Sequence, residues 1–100
     1  MKTIISGLNK IFDSRIRLGV MAALSVNDSL DFNALKELLD ITDGNLANHL
    51  KTLEKSELVE VRKQFVGRKP NTAYSITQSG KDLFQRHLAA LEKIIHLPQA

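Results

Sequence analysis

The sequence predicts a single domain of the α+β class, mainly α, because the spacing of its apolar residues changes along the chain. Leu46, Leu50 and Leu53 repeat at the three-to-four-residue interval of a helix. Val59 and Val61 then alternate with charged residues, as residues do along a strand with one buried face. A helical spacing returns after residue 77, so a short stretch of sheet is expected between helices.

Length and charge restrict the possible partners. One hundred residues suffice for one domain, residues 1–100, and no apolar run approaches the roughly 20 residues of a membrane span. The absence of cysteine excludes disulfides and thiolate metal sites and favours a cytoplasmic location. Residues 1–60 carry seven Lys or Arg against nine Asp or Glu, whereas residues 61–100 carry seven against two. This asymmetry indicates that the C-terminal part contacts a polyanion.

The N-terminal third is predicted to hold a short helical arm, a helix and a brief strand. Apolar residues cluster over 3–12, which indicates the arm. Asp13 or Ser14 can cap the helix that follows over about 14–26. The brief strand is expected over 29–32, where apolar and polar residues alternate.

The middle of the chain predicts a helix-turn-helix over about 33–56. A short helix over 33–39 and a longer one over 43–56 are joined by a three-residue turn. Thr42 has the side-chain oxygen needed to cap the second helix. The leucines of that helix form one apolar stripe, so its opposite side is expected to face solvent.

The C-terminal half predicts a β hairpin followed by a long helix. Two strands joined by a seven-residue turn give a hairpin over about 58–76, with Phe65 and Tyr74 expected to anchor its base. Thr77 can cap the last helix, which is expected over about 78–97. A hairpin directly after a helix-turn-helix makes a winged helix-turn-helix with a two-stranded β wing.

The exposed side of the second helix of the helix-turn-helix has residue types that read DNA. Small residues allow close approach to a major groove, Asn can pair with a base edge, and Lys can reach phosphates. Amide N–H groups in the first turn can also donate to a phosphate. The candidate DNA-binding residues on this helix and its cap are Thr42, Gly44, Asn45, Asn48, Lys51, Thr52 and Lys55.

The hairpin offers a second candidate contact with DNA. Its turn holds a Gly, two adjacent cations, a Pro and an Asn, and no acid occurs over residues 61–72. Such cations either keep a turn soluble or bind phosphate, and the neighbouring helix favours phosphate. The candidate residues here are Arg62, Lys63, Arg68, Lys69 and Asn71.

Two motifs at a defined spacing carry a family resemblance. The run TDGNL followed by HL occupies residues 42–50, and GRKPNTAY occupies residues 67–74. With RIRL at 15–18 and TQSGK at 77–81, the chain resembles single-domain winged-helix transcriptional regulators of the MarR/ArsR-like superfamily over roughly residues 12–90. The resemblance implies a homodimeric DNA-binding repressor or activator whose first and last helices form the dimer interface. MarR-like relatives often bind a small-molecule effector, and none can be identified from this sequence.

The last predicted helix carries two apolar lines, more than a core of this size needs. If one line packs within the chain, the second leaves an apolar patch, so a dimer seam with the N-terminal arm is expected. The alternative is that one chain buries both lines. The expected interface residues are Ile4, Ile5, Leu8, Phe12, Phe84, Leu88, Leu91 and Ile95.

No catalytic, cofactor or metal signature accompanies these features, so an enzyme is not expected. His49, His87 and His96 lack the spacing of a metal site. His49 lies at the edge of the apolar stripe and is expected to be a packed, hydrogen-bonded structural residue.

Two functions remain from the sequence. The first is a sequence-specific, double-stranded DNA-binding transcriptional regulator, a repressor, that acts as a homodimer on a pseudo-palindromic operator. The alternative is a winged-helix protein–protein interaction module without specific DNA binding. The acid-poor helix face and the basic hairpin favour DNA.

Overall fold

Four α helices and a three-stranded antiparallel sheet make up the fold in the computed structural model, which describes residues 3–99. The architecture confirms the predicted α+β, mainly α class and the order of the helices and strands after the arm. A short 3-10 turn, Lys10–Phe12, comes first. The elements that follow are α1 (Arg15–Ser25), β1 (Leu30–Asp31), α2 (Phe32–Leu39), α3 (Asp43–Lys55), β2 (Val59–Val66), β3 (Lys69–Ile76) and α4 (Gln78–Ile95).

The residue before each of the four α helices caps it: its side chain accepts a hydrogen bond from the backbone N–H three residues further along the chain. Ser14 caps α1 at 3.2 Å and Thr77 caps α4 at 2.9 Å. Asp31 caps α2 at 2.7 Å and Thr42 caps α3 at 3.3 Å. Each bond satisfies an N–H group that the helix itself leaves unpaired. The caps expected at Thr42 and Thr77 are therefore confirmed, and α1 uses Ser14.

The sheet has the strand order β1–β3–β2, so the brief N-terminal strand joins the base of the wing. Leu30 pairs with Tyr74, and Asp31 pairs with Ala73. The wing itself, formed by β2 and β3, keeps the two strands that the sequence predicts.

The wing ends in a two-residue turn, which corrects the predicted seven-residue turn. The strands pair continuously up to Val66 and Lys69, so that only Gly67 and Arg68 lie outside the ladder. Gly67 has a φ of 64°, in the left-handed region that favours glycine, and Arg68 does not share it. A positive φ at the first position alone is typical of a type II′ hairpin turn. The ladder extends this far because pairing satisfies backbone groups within the protein.

The core lies between α1, α2, α3, the start of α4 and the face of the sheet that carries Val59. Leu58 and Val59 close it at the start of the wing, and Tyr74 and Ile76 pack against it. Burial of this apolar surface is the main favourable contribution to folding. The largest fully buried side chains are Val20, Met21, Leu24, Leu35, Leu46, Leu50 and Leu53.

The N-terminal segment, residues 3–12, runs along α4 and is not the helical arm that the sequence predicts. The Phe12 and Phe84 rings meet edge to face with centroids 5.5 Å apart. The Asn9 backbone N–H donates to Nδ1 of His87 at 3.1 Å. Because Asn9 is extended, this N–H is free to reach α4 instead of continuing a helix.

The aromatic pair changes the expected dimer interface. Phe12 and Phe84 are each only 4% exposed and belong to the core of their own chain. Both were expected to face a partner subunit, and the structure corrects this because each ring packs against the other. Leu88 and Ile95 remain on the surface of α4, 42% and 75% exposed.

Phe65 does not anchor the base of the wing as the sequence suggests. It is 74% exposed and pairs with Pro70, one rung from the end of the ladder. The length of β2 carries Phe65 away from the helices, whereas Tyr74 lies at the base against the core. Tyr74 alone therefore has the expected anchoring position.

Candidate nucleic-acid interface

The helix α3 presents a polar face to solvent on the side opposite its buried leucines. At about 100° per residue, six exposed residues fall within an arc of about 120° that contains no acid. The exposed acids of the helix, Asp43 and Glu54, lie beyond the Lys51 edge of that arc. We call this set the recognition face: Gly44, Asn45, Asn48, Lys51, Thr52 and Lys55.

The polar side chains here differ in how free they are to bind a ligand. Within residues 3–99, the side-chain amides of Asn45 and Asn48 make no hydrogen bond to the protein. The Thr52 hydroxyl already donates to the Asn48 carbonyl at 3.2 Å, and the Thr42 hydroxyl already serves the helix cap. The two amides are therefore the groups able to form a two-bond contact with a base edge.

The first turn of α3 is accessible to a ligand, and its one acid is paired with a lysine. Lys36 Nζ lies 2.8 Å from Oδ1 of Asp43, the acid in the first turn of α3. An exposed ion pair of this kind adds little stability, but its cation offsets the repulsion between Asp43 and a phosphate. A side chain at Gly44 would meet no atom within 4 Å, so the first turn is sterically accessible.

Arg17 connects α3 to the N-terminal segment. Its Nε donates to the Ile11 carbonyl at 2.6 Å, and its Nη1 lies 2.9 Å from Nδ1 of His49. A guanidinium only donates, so His49 accepts at Nδ1 and carries its proton on Nε2. This contact confirms the expected hydrogen-bonded role of His49, which follows Asn48 in the recognition helix.

The surroundings of His49 oppose its protonation. Partial burial, and to a smaller extent the Arg17 guanidinium, lower the pKa of His49 below its ordinary value of 6.5. At the other end of α3, burial and then the Glu54 carboxylate raise the pKa of Tyr74 at the wing base. Both groups are therefore neutral near pH 7.

The four wing cations do not share one face of the wing. Alternation along β2 and its pairing with β3 put Lys63 on the face that carries Tyr74, and Arg62 and Lys69 on the opposite face. Arg68 occupies the turn. All four are exposed, and within residues 3–99 none pairs with an acid. The wing is therefore a cationic finger with charge on both faces, an arrangement that suits phosphates on both sides of a groove.

The side chain of Asn71 is hydrogen-bonded at both ends within the sheet. Its Nδ2 donates to Asp31 at 3.2 Å, and its Oδ1 accepts from Gln64 at 3.0 Å. Both ends of the amide are in use, so Asn71 braces the wing against β1. Its expected role in DNA contact stays a prediction.

Both the recognition face and the wing fall within a known domain family. The model of the winged helix DNA-binding domain matches residues 16–95. The chain belongs to this family. Protein MJ0432 of Methanocaldococcus jannaschii is 39% identical over 79 residues, which are 79% of this chain and 86% of that protein.

Solved structures agree with the family assignment. A transcriptional regulator homologue from Pyrococcus horikoshii OT3 superposes with a TM-score of 0.81 and 32% identity, over 92% of this chain and 89% of that one. A mutant of MarR from Escherichia coli gives a TM-score of 0.77 over 93% of this chain and 68% of its own, and at 15% identity it supports the fold alone. The expected winged-helix fold is thereby confirmed, and the Pyrococcus horikoshii structure supports the resemblance to winged-helix transcriptional regulators.

The part of the chain that the structure describes holds neither a membrane-spanning helix nor a metal cluster. Across residues 3–99, no helix has both the length and the apolar character needed to cross a bilayer. Over the same residues, no three His, Asp or Glu side chains lie where they could hold a metal ion.

Sequence reasoning missed two residues that position this interface. Arg17 reaches His49 across 32 residues, and Asp31 reaches Asn71 across 40. Neither separation produces a local pattern. Arg15 and Arg17 both lie in the first turn of the largely apolar helix α1, and nothing in the local sequence distinguishes Arg17.

Proposed function

We propose that the protein is a sequence-specific, double-stranded DNA-binding transcriptional repressor that acts as a homodimer on a pseudo-palindromic operator. The observation that carries this proposal is the recognition face of α3, which is exposed, free of acids and bears two unengaged amides. In this arrangement α3 enters a major groove and the wing reaches the adjacent minor groove. A regulator of this kind works in the cytoplasm, beside the DNA it controls.

The charge distribution supports DNA over an acidic protein as the partner. Lys51 and Lys55 lie along the recognition face, and Arg68 extends the cationic surface to the wing tip. Cations spaced along a helix and an adjoining hairpin match the repeating phosphates of a duplex. Asn48 has small neighbours in Gly44 and Thr52, so its amide can approach a base edge closely.

A second copy of the chain is the proposed partner in solution. Apolar side chains remain exposed along the N-terminal segment and α4, although Phe12 and Phe84 are withdrawn into the core. A twofold dimer that covers this surface would present two α3 helices to grooves about one turn, ~34 Å, apart. We call these residues the terminal surface: Ile4, Ile5, Leu88, Ile95 and Leu97, with exposures from 42% to 75%.

Selection of binding sites from a random duplex pool tests the proposal. We expect an enriched inverted repeat, bound at least ~10³-fold more tightly than a scrambled duplex at the same salt concentration. A salt titration on both duplexes separates base recognition from phosphate attraction. Equal, steeply salt-dependent binding to both duplexes would contradict sequence-specific regulation and leave the protein-interaction alternative.

A further inference from the structure

The tip of the wing carries an aromatic ring in water, which the DNA-binding role described so far does not use. Phe65 is 74% exposed and Val66 is 61% exposed, next to the two-residue turn. Phe65 pairs with Pro70, so their side chains stand next to each other on one face of the wing. The exposed ring adds nothing to the core, and removal of its surface from water would favour a complex.

Strand alternation determines which way this apolar pair faces. Phe65 lies six residues after Val59, an even number, and therefore on the same face of β2. The Val59 side of the sheet is the one that the helices cover. The Phe65–Pro70 pair therefore projects from the same face of the sheet that the helices cover at the base of the wing. At the tip, no helix within residues 3–99 reaches far enough to cover it. Val66 projects on the other side.

The charges around the apolar pair indicate what covers it. Lys63 shares the face of Phe65, and Arg68 and Lys69 follow directly at the tip. No Asp or Glu occurs anywhere between residues 61 and 81. An exposed apolar side chain surrounded by cations complements a polyanion that has apolar surfaces between its charges. Stacked base pairs between two phosphate strands have that character, and minor-groove proteins insert apolar side chains between them.

We propose that Phe65 is an apolar wedge that the wing inserts at a base step in the minor groove, where it partly unstacks and bends the duplex. Arg68 and Lys69 would hold the flanking phosphates while the ring enters. The wedge rests on the proposed DNA-binding function and adds sequence preference at a position without base hydrogen bonds. Flexible pyrimidine–purine steps such as TA unstack most easily and are therefore the preferred wing sites.

Bending of a selected operator labelled with a dye at each end tests the wedge by energy transfer. The wild type should shorten the end-to-end distance, and Phe65→Ala should reduce the bend and weaken binding by about tenfold. Phe65→Leu should restore most of both, since a large apolar side chain remains. Val66→Ala is the matched control, because it removes an exposed apolar side chain on the opposite face.

A base change in the operator tests the wedge independently, because it leaves the protein and its folding unchanged. Replacement of the TA step under the wing by a stiffer AA step should weaken wild-type binding and leave Phe65→Ala binding unchanged. If the wild type binds its operator specifically but Phe65→Ala bends and binds it like Val66→Ala, the wedge is wrong and the regulator proposal stands. If the wild type enriches no site at all, both proposals fail.

Discussion

Arg17 Nη1 lies 2.9 Å from Nδ1 of His49, and the same guanidinium holds the Ile11 carbonyl. One side chain thus joins the N-terminal segment, α1 and the recognition helix. The bond requires a neutral His49, because two donors would otherwise face each other. The hydrogen bond that joins α3 to α1 is therefore lost when His49 takes up a proton.

Folding stability should fall as the pH is lowered through 6.5. The pKa of His49 is lowered in the folded state, so the unfolded state takes up the proton first. The unfolded form then binds more protons below pH 6.5, its ordinary pKa, and stability is lost as the pH falls from there through the lowered value. Urea unfolding across this pH range measures the effect.

A matched pair of variants isolates the contribution of His49. His49→Asn keeps a side-chain acceptor for Arg17 but does not titrate, so its stability should depend less on pH. His96→Asn removes an exposed histidine beyond the end of α4 and should leave the wild-type pH dependence intact. An unchanged slope in His49→Asn would show that His49 is not the responsible group.

Asn48→Ala should lose about 1–3 kcal/mol of binding free energy on the selected operator and relax specificity there. The side-chain amide of Asn48 is exposed and unengaged, so the change removes base contacts without disturbing the fold. Titration of selected and scrambled duplexes measures both effects. An equal loss on the two duplexes would assign Asn48 to phosphate contact instead.

Arg68→Ala should weaken binding to every duplex and reduce the slope of log affinity on log salt by about 0.9. Arg68 occupies the turn of the wing, where one lost phosphate contact returns about one counterion. Lys81→Ala is the control, since Lys81 is an exposed cation near the start of α4 and outside the wing. Identical slopes for the two variants would remove the wing from the interface.

Gly80→Ala should destabilise the fold by about 1–3 kcal/mol. A Cβ there would overlap the Leu58 backbone carbonyl, which cannot swing aside as a side chain can. Gly44→Ala is the matched change in α3, where a Cβ meets nothing within 4 Å. It should stabilise by roughly 0.5 kcal/mol and still weaken DNA binding. Thermal unfolding and operator titration measure the pair, and equal stability changes would contradict the packing argument.

A charge on the terminal surface should convert a dimer into monomers. Leu88→Glu combined with Ile95→Glu places two carboxylates among exposed apolar side chains of α4. Val26→Glu changes a residue that is 80% exposed at the end of α1, so it should leave assembly unaltered. Sedimentation equilibrium distinguishes the two cases. A double variant with wild-type mass would place the interface elsewhere.

The sequence by itself predicted the helices and strands, because each forms through interactions between residues that are close together in the chain. Thr42 and Thr77 each cap the helix that starts at the next residue, by accepting from an N–H three residues on. The period-two run after Leu58 forms a strand. The recognition face also follows from local geometry, because a buried stripe on a helix determines its opposite side.

Only the tertiary structure decided how these elements use their side chains. His87 meets Asn9 across 78 residues, and Asn71 meets Asp31 across 40. The continuous pairing of β2 and β3 moved Phe65 from the expected base of the wing to its tip. The physical reason is that helix caps and periodicity act over one turn of chain. Which polar group finds a partner, and which apolar ring stays in water, depends on the packing of segments far apart in sequence.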